Sequence, residues 1–312
     1  MNVLRASLNH PIYAVMDFNA LQSFLLRIAD LTVEVSGDRS MAILGVEGAK
    51  EKFIVHDAAP DVRIMATKCD LPEVSEGTLL FDSGPVWRLY QRNGSYIFRF
   101  GAPSFGSKPY KMAIFNSDFS DGEVFIHPDL FQYGQPVDPL WGPLDELLYG
   151  NLLARGRGVE VHACGLIDSQ GQGRLFVGVS TAGKTTMARL WEDIPGVTVL
   201  SDDRIILRRK GEKIWMYGTP WHGEGGQSVA GSAPVAGIYF LKKAAQNRLA
   251  PMKEHDTVSH FFTCSFLPFY NREAVDFTLE FLGEVAKEVP CFKLSVVPDK
   301  NVVEFIRTGL SN

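Results

Sequence analysis

The run Gly178-Val179-Ser180-Thr181-Ala182-Gly183-Lys184-Thr185-Thr186 matches the pattern G-x-x-x-x-G-K-[ST], and it constrains the fold more than any other stretch of the chain. The pattern works only as a turn between a strand and a helix. Successive backbone N–H groups have to curl inward toward phosphate oxygens, and the helix N-terminus has to face the same anion. The neighbouring residues supply both elements: Leu175-Phe176-Val177 reads as a strand, and Met187-Ala188-Arg189-Leu190-Trp191 carries apolar residues at helical spacing. Gly178, Ser180, Thr181, Ala182, Gly183, Lys184, Thr185 and Thr186 are therefore the candidate nucleotide-binding residues. Lys184 would bring a cation to the terminal phosphates and Thr185 a hydroxyl to Mg²⁺, so ATP with Mg²⁺ is the expected pair, although the loop does not distinguish ATP from GTP.

A chain of 312 residues has room for about two domains, and its share of apolar residues is enough to bury real cores. Met1 to Asp17 contains Arg5, Asn9, His10 and Pro11 and no continuous apolar stretch, so an export signal is not expected; with no run of membrane-spanning length, a cytoplasmic protein is. The four cysteines, Cys69, Cys164, Cys264 and Cys291, form no C-x-x-C pair, which argues against a zinc site or a disulfide framework. A net charge of −5 with no Lys/Arg-rich block disfavours nucleic acid as a partner.

Residues 33 to 126 read as a succession of short strands, at Thr32–Val35, Lys52–Val55, Val62–Met65, Val86–Tyr90, Tyr96–Phe100 and Lys111–Phe115, with Asn93-Gly94 as a hairpin turn. The proline-rich loop 135–143 breaks regular structure, and Leu144 to Arg155 follows as a helix. The expected division is a β-rich N-terminal domain over 1–138, for acceptor recognition or a subunit contact, and a nucleotide-binding domain over 139–312. In the latter, Val159 to Ile167 leads as a β-hairpin into the phosphate loop, where most folds of this kind arrive from a helix. Beyond the loop helix come a strand at Val197–Leu200, a hairpin around Lys210-Gly211, a glycine-rich stretch at 218–226, and a strand at Gly237–Leu241. Helices are expected near Thr257–Phe266, Arg272–Lys287 and Val302–Thr308.

Binding a triphosphate is not the same as transferring its γ-phosphoryl group, which also needs acids to hold metal and to orient the attacking oxygen. Asp202 and Asp203 are the candidates, because they follow a predicted buried strand and adjacent carboxylates there point in different directions. Glu224, among glycines that let backbone approach a ligand, is a third candidate for the metal shell. His162 on the first hairpin strand is open between packing and chemistry, and Arg204, Lys242 and Lys243 between surface charge and transition-state stabilisation.

The order His162, hairpin, Gly178-to-Thr186 loop, Leu200-Ser201-Asp202-Asp203-Arg204, then a glycine-rich loop with Glu224, resembles the HPr kinase/phosphorylase family and, more distantly, the nucleotide-binding half of phosphoenolpyruvate carboxykinase. The resemblance covers roughly residues 144 to 307. It implies a mixed α/β (α+β) fold with a phosphate-loop core on a mixed sheet, preceded here by the β-rich half. It also implies a kinase in which Lys184 contacts the β- and γ-phosphates and Thr185 the magnesium. The Asp202/Asp203 pair would supply a metal contact and the catalytic base, Glu224 would join the metal shell, and His162 would stand close to the acids. The nearest similarity is to stand-alone members, some of which act on a serine of a precursor peptide; the resemblance also accommodates a homo-oligomer. Two departures stand out: bifunctional members usually carry glycine where this chain has Thr181, and a Lys-Ser pair where it has Lys184-Thr185.

The leading expectation is therefore a Mg²⁺-dependent kinase moving the γ-phosphoryl of ATP to a hydroxyl, serine first, on a protein or peptide. A nucleotide-gated binding module with little turnover and a small-molecule kinase are the alternatives.

Overall fold

The computed structural model describes residues 22–309, apart from 42, 76, 107 and 131–135. The segment read for an export signal, the first residue of the proline-rich loop and the extreme C-terminus lie outside the described residues. The fold is mixed α/β, with two mixed sheets and few helices.

The first sheet is built from β1 (Gln22–Ile28), β2 (Leu31–Gly37), β3 (Ile54–Val55), β4 (Val62–Lys68), β5 (Thr78–Asp82), β6 (Trp87–Arg92), β7 (Ser95–Phe100), β8 (Lys111–Phe115) and β9 (Asp121–Ile126), in the spatial order β3-β1-β2-β4-β9-β8-β7-β6-β5. Most neighbours are antiparallel, but β2 with β4 and β4 with β9 run parallel. The Asn93-Gly94 turn closes the β6–β7 hairpin with φ of 50° and 81°, the positive values that this residue pair tolerates. Lys52-Phe53 belongs not to a strand, as expected, but to a 3₁₀ turn over Gly48–Phe53 that buries Phe53. One apolar contact there outweighs the β-propensity of the short run.

After the proline-rich loop, α1 (Leu144–Leu153) buries Leu144, Leu148, Leu152 and Tyr149 against the first sheet, and Tyr149 donates its hydroxyl to Leu26 O at 3.0 Å. The chain then enters the second sheet through β10 (Val159–Ile167) and β11 (Gly173–Val177), which pair antiparallel from Ala163↔Val177 to Ile167↔Gly173. The remaining elements are α2 (Lys184–Glu192), β12 (Thr198–Ser201), β13 (Arg204–Lys210), β14 (Lys213–Gly218), β15 (Ser232–Lys243), β16 (Arg248–Pro251), α3 (Glu254–Thr263), β17 (Ser265–Phe266), α4 (Arg272–Glu288), β18 (Cys291–Val296) and α5 (Asn301–Gly309). The order is β11-β10-β13-β14-β15-β18-β16, and β11 also pairs parallel with β15, so five strands close on themselves. Two apolar clusters hold this half. One lies under α3 and α4, with Phe261, Phe281 and Leu282; the other lies under α2 and α5, with Trp191, Phe176 and Tyr239.

Three strands here depart from the sequence expectation. Ser265-Phe266, expected to end a helix, is β17, paired with Val161 and Glu160 of β10. β16 and β18 have no counterpart among the expected strands; the buried positions Cys291, Leu294 and Val296 of β18 sit between β15 and β16.

Candidate active site

The phosphate-loop motif forms a strand–turn–helix: β11 ends at Val177, the turn spans 178–183, and α2 starts at Lys184. Its glycines are there for different reasons. A Cβ on Gly178 would stand 2.6 Å from the Cβ of Ala182 across the turn, whereas Gly183 adopts φ 111°, which a side chain would strain. Thr181 takes the left-handed φ of 68° that a glycine would take more cheaply. α2 has no side-chain cap at its N-terminus, so the first-turn N–H groups remain directed into the turn. Ser180 and Thr181 are exposed, while Ala182 and Thr186 are half-buried along the rim.

Lys184 is buried, and its ammonium donates to Gly178 O at 2.9 Å and Val179 O at 3.0 Å, folding back over the loop it closes. Burial draws its pKa below the usual lysine value, against the pull of Asp203.

β12 ends at Ser201 and β13 begins at Arg204, so Asp202 and Asp203 occupy the corner between them and face opposite ways. Asp202 is fully buried and aims at the phosphate loop, where its Oδ2 accepts from the Thr185 hydroxyl at 3.0 Å. Oδ1 accepts from Gly223 N–H and Oδ2 also from Gly225 N–H, both at 2.9 Å. A Cβ at Gly223 or Gly225 would come within 2.9 Å or 2.7 Å of Oδ2. The glycine-rich stretch thus wraps a carboxylate of the chain itself. Glu224 stands between these two amides with its own side chain exposed.

Asp203 turns the other way. Its Oδ1 accepts from His162 Nε2 at 2.9 Å and its Oδ2 lies 3.4 Å from Arg204 Nε. The His162 hydrogen bond, with further help from the charges of Arg204 and Lys184, holds the carboxyl below the usual carboxylate range. His162 comes from β10, whose register opposes it to Arg204. Hairpin, phosphate loop and acid corner are therefore brought together by one strand.

No protein-family model and no curated protein matches this sequence. Its fold is distantly similar to the HPr(Ser) kinase/phosphatase from Coxiella burnetii, at 14% identity over 49% of this chain and 88% of that one, with a TM-score of 0.28.

Sequence reasoning missed two further charges. Arg204 Nη1 donates to Glu146 at 2.7 Å and to Glu160 at 3.0 Å, while the guanidinium lies 4.1 Å from the centre of the Phe266 ring. Glu160 is buried, and burial pushes its carboxyl up to about 7 against the opposing charge of Arg204. A glutamate inside an otherwise apolar strand run was the available signal, because such a position needs a buried cation opposite it. Lys242 and Lys243 are exposed at the end of β15. Among the described residues no group of three His, Cys, Asp or Glu side chains clusters at metal-ligand spacing.

Proposed function

We propose that this protein is an ATP- and Mg²⁺-dependent kinase that transfers the γ-phosphoryl group to a hydroxyl, serine first, of a peptide or protein. The observation that carries the reading is the opposite facing of two neighbouring carboxylates. Asp202 bonds the phosphate-loop hydroxyl of Thr185, and Asp203 bonds His162 and faces Arg204.

The donor set suits magnesium. Thr185 Oγ1 and Asp202 Oδ2 are hard oxygens side by side, and Asp202 is fixed by two backbone amides that a Cβ would displace. Thr185 and Asp202 would hold the ion, which when bound offsets charge on the phosphates. Lys184 and the first-turn amides of α2 bind and orient the triphosphate.

On the far side, Asp203 accepts a hydrogen bond from the acceptor hydroxyl. The hydroxyl oxygen forms the new bond to the γ-phosphorus, the bond from that phosphorus to the β–γ bridging oxygen breaks, ADP leaves, and the proton passes to Asp203. A carboxylate held below its ordinary pKa is a weak base, so Asp203 acts mainly by orienting the hydroxyl and takes the proton late. His162 keeps Asp203 in place and charged.

The test is transfer of γ-label from ATP, with Mg²⁺, to serine-containing peptides. Asp203→Asn should lose at least about a hundredfold of turnover while binding nucleotide nearly as well as the parent. Label transfer that survives this substitution would sink the assignment, and phosphate release indifferent to it would favour a gating module.

A further inference from the structure

Between β5 and β6 on one side and the β17–α4 connection on the other lies a cavity of about 210 Å³, lined by Arg204, whose Nε lies 3.4 Å from Asp203 Oδ2. Pockets for whole drug-sized ligands run from roughly 300 to 1,000 Å³, so this one suits a single side chain. Its walls are aromatic. Phe81 stacks on Trp87 at 4.8 Å and lies 6.2 Å from Tyr270, and Phe266 closes the side toward Asp203, contacting both Arg204 and His162.

The floor is charged and unbalanced. Glu146, Glu160 and Asp203 all lie within 3.4 Å of one guanidinium, that of Arg204, and with Glu160 only partly ionised near neutral pH at least one negative charge is left in excess. His162 hydrogen-bonds Asp203. The neighbouring Lys50 is already shared by Asp138 at 2.7 Å and Asp145 at 2.6 Å. Of the two glutamates, Glu160 is closed off, whereas the Glu146 side chain is 33% exposed. An apolar, ring-lined cavity with a reachable carboxylate matches a long cation, with a methylene stem for the rings and a charged head for the acid.

We propose that this cavity takes a lysine or arginine side chain of the acceptor polypeptide, its stem between Phe81, Trp87 and Tyr270 and its head on Glu146, placing the accepting hydroxyl at Asp203. The word acceptor rests on the kinase reading above; the charge preference of the cavity does not. A basic residue near the serine would then be the feature by which the protein selects its substrate.

The experiment measures binding separately from transfer. Fluorescent alanine-rich peptides carry one serine and one guest residue, walked through successive positions on either side of it. The guests are arginine, lysine, norleucine, phenylalanine and glutamate. Affinity is read by anisotropy with the full chain, Mg²⁺ and a non-hydrolysable ATP analogue. At one position arginine or lysine should bind roughly tenfold or more tighter than norleucine. Glu146→Gln should erase that margin without changing nucleotide affinity, and Phe81→Ala, on the terminal strand of its sheet, should weaken the basic peptides. Norleucine or phenylalanine binding as tightly as arginine at every position, no peptide binding at all, or a margin that survives Glu146→Gln would overturn the proposal. If the glutamine variant does not fold, Phe81→Ala decides: unchanged affinity for basic peptides would likewise overturn it. Tight basic-peptide binding with no label transfer would sink the kinase reading and leave the cavity assignment standing. Label transfer indifferent to the guest would do the reverse.

Discussion

At the scale of single residues, the site depends on two adjacent aspartates having unlike surroundings. Asp202 accepts three hydrogen bonds, from Thr185, Gly223 and Gly225, and is sealed from solvent, which suits a fixed ligand. Asp203 is partly open and owes its low pKa first to His162. Because an ionised carboxylate only accepts, His162 Nε2 carries the proton in this contact. Removing that donor takes stabilisation from the charged form alone, so His162→Ala should raise the Asp203 pKa and move the acid limb of the kcat/KM profile upward by about one pH unit. A variant whose rate falls by the same factor at every pH would mean that His162 positions the acid without tuning it. The two outcomes are separated by a pH series on one labelled peptide.

The element that holds Asp202 is the loop from Thr219 to Gln227, and its glycines differ in purpose. At Gly225 a Cβ would sit 2.7 Å from Asp202 Oδ2 and 2.1 Å from Gln227 Oε1, whereas at Gly226 nothing stands within 4 Å and only the positive φ of 74° matters. Gly226→Ala should therefore cost about 1 kcal/mol of stability and leave Mg²⁺-dependent nucleotide binding nearly intact. Gly225→Ala should weaken that binding by roughly tenfold or more, because it moves a carboxylate. Isothermal titration beside thermal melts reads both quantities; equal losses of affinity in the two variants would refute the distinction. The strand, turn and helix around Lys184 were legible in sequence because they are local: spacing, glycines and helical periodicity lie close together along the chain. The β10–β11 and β13–β14 hairpins were legible for the same reason. That Gly223 and Gly225 wrap Asp202, and that Arg204 is met by Glu146 and Glu160, could not be read, since those contacts join residues far apart in the chain. β18 escaped because its six residues gain their strand identity from β15 and β16 on either side, more than from any pattern of their own.

At the scale of the whole molecule the two sheets are tied by more than the connecting chain. Asp30, in the β1–β2 turn, accepts from Tyr217 at 2.9 Å and pairs with Lys210 at 3.1 Å, and Trp221 and Ile206 share the core of the first sheet. Where the proline-rich loop and α1 meet the first sheet, the contact is electrostatic and contains an unusual member. Lys111 of β8 is fully buried, with its ammonium 4.7 Å from the centre of the Phe100 ring and donating to the carbonyl oxygen of Trp141. Burial lowers its pKa from 10.5 to about 7, since Asp145 and Asp138 offset only part of the desolvation. Between those values the unfolded chain holds a proton that the folded chain releases, so stability rises with pH across that window; the penalty for burying the ammonium is full below 7 and gone above 10.5. Lys111→Met removes the titrating group while keeping an apolar stem. It also orphans the carbonyl of Trp141, at a cost of about 1–3 kcal/mol that does not vary with pH. The absolute stabilities of the two proteins at neutral pH are thus a contest between a relieved charge and a lost hydrogen bond, but their pH slopes are not. Urea unfolding at several pH values in that window should show the parent gaining up to about 1.4 kcal/mol per pH unit over the variant. Parallel curves would mean that Lys111 keeps its proton throughout, with Asp138 and Asp145 compensating its burial in full, and α1 would then be held on the first sheet by a charged cluster insensitive to pH.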